Sequence, residues 1–366
     1  MSHSLVEKNK NLYVVLMAGG VGVRFWPYSR NSMPKQFLDV LGTGKTLLQS
    51  TYERFLSICL PENIYVVTNQ EHAHLVKEQL PDIQSRQILA EPVRKNTAPC
   101  IAYSSYRIHT QNKDAVVVVS PADHLILKED EFREIILKAT DIAKTQDKLL
   151  TLGITPTRPE TGYGYIQFIP DKKIAKKVKT FTEKPELTLA KKFLESGDFV
   201  WNSGIFIWGV RAIIQALEQH QAEMAEVFQE CVPSFETDAE AKAIEKAYVQ
   251  CKNVSIDYGI MEKANNVFVC LGNFTWSDLG SWSSIHELSA KDEHNNVVTG
   301  KTMLYDTRNS IIRANSPDKL IVTQGLNGYL VAEFGNVIIV CEKDKEDMFR
   351  KFVNDLKALQ GGGEFL

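Results

Sequence analysis

Organised cysteine chemistry is missing from this sequence. The six cysteines, Cys59, Cys100, Cys231, Cys251, Cys270 and Cys341, are scattered far apart, with no Cys-x-x-Cys pair and no zinc-type spacing. Several stand in apolar stretches and read as buried, reduced thiols. No apolar run approaches the ~18 residues that a membrane helix needs, and the start, Met1 to Tyr13, is polar with no signal-peptide core. A cytoplasmic protein with no membrane partner is expected. Charge of one sign is lacking too: a formal net charge of −3 builds no field for nucleic acid, so any phosphate binding must be local. With 366 residues there is room for roughly two domains and a sizeable core, which excludes a peptide-sized binding module.

Apolar periodicity supplies the architecture. Tyr13-Val-Val-Leu-Met-Ala18 is a short apolar run ended by Gly19-Gly20, a buried strand entering a tight loop. The same grammar repeats. Thr46 to Cys59 has helical spacing, Ile64 to Val67 reads as a strand, Glu71 to Leu80 as a helix and Ile88 to Ala90 as a strand. A helical Thr97 to His109 and the apolar Ala115 to Val119 follow. Strands that are apolar on both faces and alternate with helices imply a parallel sheet covered on both sides. After Leu149 the pattern loosens into strands (Leu149 to Ile154, Tyr163 to Ile169, Val178 to Phe181, Ile205 to Trp208) and helices (Leu187 to Ser196, Arg211 to Gln229). From Val297 short β-rich pieces precede a last helix, Lys345 to Leu359. Polar residues clustered at Ala290 to Asn296 suggest a boundary, dividing the chain into 1–290 and 291–366. The Gly361-Gly-Gly363 tail is expected to be disordered.

The most informative segment runs from Leu16 to Phe37. Its Ala18, Gly19, Gly20 and Gly22 let backbone amides approach phosphate oxygens, and Arg24 and Lys35 add fixed positive charge. Two better-known phosphate motifs fail here. A G-x-G-x-x-G fingerprint starting at Gly20 puts Phe25 where its last glycine belongs. Gly42-Thr-Gly-Lys-Thr46 looks like the end of a P-loop, yet Asp39 stands where the first glycine is required, so a turn into the next helix is the better account.

The string AGGVGVRFWPYSRNSMPKQF resembles the amino-terminal signature of the GDP-mannose pyrophosphorylase (mannose-1-phosphate guanylyltransferase) family of sugar nucleotidylyltransferases. The resemblance continues in order through Glu91-Pro-Val-Arg-Lys-Asn-Thr-Ala-Pro99, Ser120-Pro-Ala-Asp-His124, Gly162-Tyr-Gly-Tyr-Ile166, Phe181-Thr-Glu-Lys-Pro185, Trp201-Asn-Ser-Gly-Ile-Phe206 and Trp276-Ser-Asp-Leu-Gly-Ser-Trp282. It implies a doubly wound, mostly parallel, Rossmann-like α/β catalytic domain followed by a small β-helix-like domain that often helps build a homodimer. It implies transfer of GMP from GTP to mannose 1-phosphate, giving GDP-mannose and pyrophosphate. Some members carry a further isomerase domain beyond this point; this chain ends first, and a monofunctional enzyme is expected.

Asp123 follows an apolar strand and falls at the carboxyl end of the sheet, where open α/β folds bind ligands; Asp278 lies in the remote loop Trp276 to Gly280. As isolated residues both read equally as turn or cap residues. The resemblance implies that both hold one Mg²⁺ between the nucleotide α-phosphate and the sugar phosphate, and a hard cation accepts such an oxygen set. The nucleophile is already an anion, so the reaction needs charge neutralisation and positioning, and no general base. Arg24 is accordingly expected on the leaving phosphates, Lys35 beside the triphosphate and Lys184 on the phosphate of mannose 1-phosphate. By the same resemblance Gly164, Glu183 and Asn202 contact the sugar, although Glu183-Lys184-Pro185 also reads as a helix entry and Trp201 to Trp208 as a core strand.

Guanine offers both donors and an acceptor, which Asn96 and Thr97 could match; Asn96 reads equally well as a helix cap. Lys95 stands where the family motif has arginine, keeping charge but losing bidentate geometry, so it is given no role. Three rivals remain: guanylyl transfer to fucose, glucose or heptose 1-phosphate, a non-catalytic regulatory homologue that binds sugar nucleotides, and a dinucleotide oxidoreductase, which Phe25 disfavours.

Overall fold

The computed structural model describes residues 8–20 and 22–366. The polar amino-terminal stretch lies outside them as far as Glu7, as does Val21 of the glycine loop. The chain forms two compact units, one of Met1–Gly19, Thr51–Ala122 and Ile126–Trp276, the other of Gly20–Ser50, Asp123–Leu125 and Ser277–Leu366.

Strands in chain order are β1 (Leu12–Met17), β2 (Ile64–Asn69), β3 (Ile88–Glu91), β4 (Val116–Pro121), β5 (Leu125–Ile126), β6 (Leu149–Ile154), β7 (Tyr165–Phe168), β8 (Ala175–Thr182), β9 (Phe199–Gly209) and β10 (Val267–Gly272). The first unit is built on a nine-stranded sheet of order β3-β2-β1-β4-β9-β6-β10-β8-β7. β1 pairs in parallel with β2 and β4, and β2 with β3, as the all-apolar runs require. Beyond β4 the sheet becomes mixed: β9 runs antiparallel to both β4 and β6, β10 is parallel to β6, and β8 is antiparallel to β10 and β7. The expected α/β sheet is present, but its pairing is mixed rather than mostly parallel, with parallel pairing concentrated in its first half.

Side chains alternate across a strand. Tyr13, Val15, Tyr65, Val67, Val117 and Val119 share one core with the helices Thr97–Gln111, Val210–His220, Ala222–Cys231 and Glu240–Gln250. The alternate residues Val14, Leu16, Val66 and Val118 are buried as well, so the sheet is covered on both faces. The helix Glu129–Thr145 packs on β4, β9 and β10 through a buried stripe of Phe132, Ile136 and Ala139. The single helix expected from Arg211 to Gln229 is two. The break falls at Gln221, φ −138° and ψ 49°, whose side-chain amide donates to the Gly259 carbonyl. A tertiary bond holds this residue out of the helix, and neither glycine nor proline marks it.

After β11 (Trp276–Ser277), the second unit carries β12 (Val297–Thr299), β13 (Lys301–Tyr305), β14 (Ile311–Ala314), β15 (Leu320–Gln324), β16 (Tyr329–Phe334) and β17 (Val337–Glu342). β12, β14 and β16 form one parallel ladder and β13 and β15 another, so the chain alternates between two sheets as it winds: a β-helix. Its corners need tight backbone. Gly300 turns between β12 and β13 with φ +83°, and a Cβ there would lie 2.1 Å from the Ala314 carbonyl oxygen. Inside, Asn296 donates to the Thr307 carbonyl and accepts from the Ser310 amide, and the Thr307 and Thr323 hydroxyls meet at 2.9 Å. The antiparallel β17 closes the ladder.

The helix Glu346–Ala358 adds Phe349 and Val353 to a core of Phe25, Trp26, Trp282, Leu330 and Phe334. The tail, expected to be disordered, is ordered. Gly362–Phe365 forms a 3₁₀ turn, the Trp26 indole donates to the Phe365 carbonyl at 2.7 Å, and Phe365 and Leu366 pack on that core. Two apolar residues after the glycines outweigh their flexibility. All six thiols are free, five of them buried and Cys341 partly so.

Candidate active site

In the second unit, Gly22 sits at φ +72° ahead of the 3₁₀ turn Val23–Phe25, which carries the half-buried Arg24. A Cβ on Gly22 would lie 2.6 Å from the Lys35 Cβ, so glycine is required both for the turn and for the approach of Lys35. Gly20 has open space where a side chain would be. The Ser29 hydroxyl donates to the Gly22 carbonyl, and Arg30 donates to the Phe334 carbonyl and the Asn336 side chain. These bonds hold the far end of the loop.

Lys35, expected as a phosphate ligand, is only 4% exposed. Its ammonium donates to Asp123 Oδ2 at 3.0 Å and to the Asp278 carbonyl at 2.6 Å, and it lies 5.4 Å from the Phe25 ring centroid. One buried cation thus ties together the two aspartates singled out in the sequence. Asp123 keeps 30% of its side chain exposed. Burial would raise its pKa, but the Lys35 ammonium beside it, with His124 in support, holds the carboxyl below the usual carboxylate range. Asp278 is partly buried, and its Oδ1 accepts from the Gly280 amide at 2.8 Å. A Cβ on Gly280 would come within 2.7 Å of Asp278 Oδ2, so glycine there leaves space for the carboxylate. Among the described residues no cluster of three or more His, Cys, Asp or Glu is arranged to hold a metal ion. A cation at Asp123 and Asp278 would complete its shell with phosphate and water oxygens, as Mg²⁺ does. The Gly42 to Thr46 segment is a turn closed by Asp39, whose carboxylate accepts from the Thr43 and Gly44 amides at 2.9 and 2.7 Å.

The first unit gathers the expected sugar residues. The backbone N–H of Asn202 donates to the Gly164 carbonyl at 2.8 Å, and a Cβ on Gly164 would lie 2.7 Å from Glu183 Oε2. Lys184, at φ +44°, reaches back to Glu183 Oε1 at 2.7 Å while its own amide donates to the Tyr163 carbonyl. Gly164, Glu183, Lys184 and Asn202 are therefore neighbours.

The backbone N–H and C=O of Ala18 are both used, by the Val67 carbonyl and the Thr68 hydroxyl. Gly19 faces Glu91: a Cβ there would stand 3.3 Å from Glu91 Oε2. Asn96, at φ +67°, accepts from the Thr97 amide and caps the helix Thr97–Gln111, while the Thr97 hydroxyl accepts from the Ile256 amide. Both residues thus stand at one helix N-terminus.

Two carboxylates escaped the sequence reading. Glu91 is buried and accepts from the Tyr248 hydroxyl at 2.8 Å; desolvation pushes its pKa up to about 7 against the pull of that bond and of Arg94. Asp257 accepts from the Asn202 side chain at 2.8 Å, and burial, reinforced by the charge of Glu183, raises its pKa. Glu91 opens the motif Glu91 to Pro99. Asp257, at the start of the π-helical turn Asp257–Met261, carries no sequence signal.

A mixed α/β sheet, a glycine loop with buried lysine and paired aspartates, and a β-helix define a sugar-nucleotide type of nucleotidyltransferase architecture. The comparisons make this specific. The Nucleotidyl transferase family model matches residues 13–295 and the MannoseP isomerase/GMP-like beta-helix domain matches 300–356. The chain belongs to the nucleotidyl transferase family. It is 37% identical to a mannose-1-phosphate guanylyltransferase of Salmonella muenchen, over 95% of this chain and 74% of that protein. It is 34% identical to the alginate biosynthesis protein AlgA of Pseudomonas aeruginosa, over 96% of this chain and 73% of that protein. Among solved structures it resembles a protein described as a mannose-1-phosphate geranyltransferase from Thermus thermophilus, with a TM-score of 0.85, 31% identity, and coverage of 95% of this chain and 99% of that one. No helix among the described residues is long and apolar enough to cross a membrane.

Proposed function

We propose that this chain transfers GMP from GTP to α-D-mannose 1-phosphate, producing GDP-mannose and pyrophosphate. The observation that carries the reading is the Lys35 ammonium held between the Asp123 carboxylate and the Asp278 carbonyl. A buried cation that joins the Asp123 carboxylate to the backbone of Asp278 suits phosphate chemistry that runs on charge neutralisation. The relatives named as mannose-1-phosphate guanylyltransferases support the choice of nucleotide and sugar.

In this reading Asp123 and Asp278 would hold one Mg²⁺, which would supply positive charge to neutralise the reacting phosphates. Ala18, Gly19, Gly20 and Gly22 line the triphosphate, with Arg24 on the β- and γ-phosphates and Lys35 beside them. Asn96 and Thr97 lie at the base. Lys184 holds the phosphate of mannose 1-phosphate, and Gly164, Glu183 and Asn202 meet sugar hydroxyls. A sugar-phosphate oxygen attacks the α-phosphorus in line, the bond to the β-phosphate oxygen breaks, and pyrophosphate departs as an anion. No proton moves at the reacting centre, so no base is needed.

The working form in this reading is a cytoplasmic homodimer. The paired strands β13 and β15 expose Met303, Tyr305, Leu320 and Val322, an apolar face that suits a second copy.

The test is pyrophosphate release with GTP, ATP, UTP or dTTP against a panel of mannose, glucose, fucose and heptose 1-phosphates. Release with GTP and mannose 1-phosphate above all other pairs is expected. Preference for another sugar phosphate, or no release from any pair, rejects the assignment.

A further inference from the structure

The side-chain amide of Asn202 is held at both ends. Its Nδ2 donates to Asp257 Oδ1 at 2.8 Å, while its Oδ1 accepts from the Gly204 amide at 3.1 Å. A carboxamide has two N–H donors and an oxygen with two acceptor sites. Here the oxygen is engaged by a backbone N–H, one side-chain N–H is committed to Asp257, and the other N–H is left over. A backbone N–H can only donate, so the Gly204 amide dictates that Oδ1 faces it, and Asp257 Oδ1 receives the Nδ2 group that this orientation presents.

Asp257 is itself anchored. It opens the π-helical turn Asp257–Met261, and the residues just before it are bonded to the first turn of the helix Thr97–Gln111. The Ile256 amide donates to the Thr97 hydroxyl at 2.9 Å, and the Ala98 amide donates to the Val254 carbonyl at 3.1 Å. The segment 254–257 is thus a strap from the helix capped by Asn96 to the side chain of Asn202.

We propose that Asp257 is a positioning residue for the sugar subsite. It fixes Asn202 as a hydroxyl donor, beside Glu183 as the acceptor, and so matches the donor and acceptor character of one pyranose hydroxyl. This rests on the reading of Gly164, Glu183 and Asn202 as the sugar subsite. It accounts for a buried acid that takes no part in the phosphate chemistry and that burial makes costly to ionise.

The experiment compares Asp257→Ala, Asp257→Asn, Asn202→Ala and the double variant Asp257→Ala/Asn202→Ala by steady-state kinetics with GTP and mannose 1-phosphate. Asp257→Ala is expected to raise KM for the sugar phosphate at least ~10-fold and to change KM for GTP less than about twofold. Asp257→Asn keeps an acceptor for Nδ2 and is expected to stay within about threefold of the parent in both constants. The double variant is expected to match Asn202→Ala, because the two residues act as one unit. An unchanged sugar KM in Asp257→Ala, equal rises in both KM values, or multiplying effects in the double variant overturns the proposal. If Asp257→Ala does not fold, Asp257→Asn decides: a sugar KM as high as that of Asn202→Ala refutes positioning.

A second readout needs no substrate. In ¹⁵N-asparagine-labelled protein, the Asn202 side-chain resonance, assigned by its loss in Asn202→Ala, is expected to shift in Asp257→Ala and to hold near its place in Asp257→Asn. No shift in Asp257→Ala refutes the positioning role even if the enzyme turns over mannose 1-phosphate. A shift in an enzyme that does not use mannose 1-phosphate sinks the functional reading and leaves the positioning role standing.

Discussion

Glu91 titrates in the folded chain at about 7, against an ordinary value of 4.5. The unfolded chain therefore releases this proton first, and between those values the folded state holds the extra proton. Stability falls as pH rises through that window and levels off above it. The shift corresponds to roughly 3 kcal/mol. Glu91→Gln still accepts from the Tyr248 hydroxyl and stays neutral. It is expected to flatten the Tm profile between pH 5 and 7 and to be the more stable protein at pH 8, as read by calorimetry without ligands. An unchanged slope contradicts the burial argument. Such residues set the bound on what sequence shows. Asp123 and Lys35 were legible through the family motifs around them, since the aspartate after its strand reads on its own equally as a turn or cap residue. Glu91 and Asp257 were not, because their character comes from Tyr248 and Asn202, partners distant in sequence.

At the scale of elements, the apolar runs and glycines were legible because their cause is local. β1 ends at the glycine loop, and Gly22 has a left-handed conformation that the turn demands. Gly22→Ala is expected to cost ~1–3 kcal/mol in chemical denaturation, from positive φ and the clash with Lys35, and to lower kcat more than it raises KM for GTP. A variant of parental stability and turnover contradicts the reading of this loop. The break at Gln221 and the ordered tail were not legible. Each depends on tertiary contacts: the bond from Gln221 to Gly259 in the first case, and the packing of Phe365 and Leu366 with the bond from Trp26 to Phe365 in the second. The parallel first half followed from uniformly apolar strands, whereas β9 takes its antiparallel place through pairing that no short window reveals.

For the whole molecule, Gly20–Ser50 and Asp123–Leu125 pack with Ser277–Leu366. The acids and the lysine named from scattered motifs therefore belong to one unit. The exposed Met303, Tyr305, Leu320 and Val322 lie on that unit too, and their alternation along β13 and β15 reads as a strand pattern with an apolar outer face. Val322→Glu is expected to convert a homodimer to a monomer in light scattering, with an unchanged circular dichroism spectrum. A parent chain that is already monomeric, or a variant that stays dimeric, rejects this face as the interface.

The central claim is that Asp123 and Asp278 act together on phosphate through a divalent cation. The most direct measurement is pyrophosphate release from GTP and mannose 1-phosphate, with Mg²⁺ present, by the parent chain, Asp123→Asn and Asp278→Asn. Each variant is expected to lose at least ~100-fold in kcat while KM for GTP moves by less than about threefold, the signature of lost transition-state stabilisation. Turnover near that of the parent in either variant contradicts the claim.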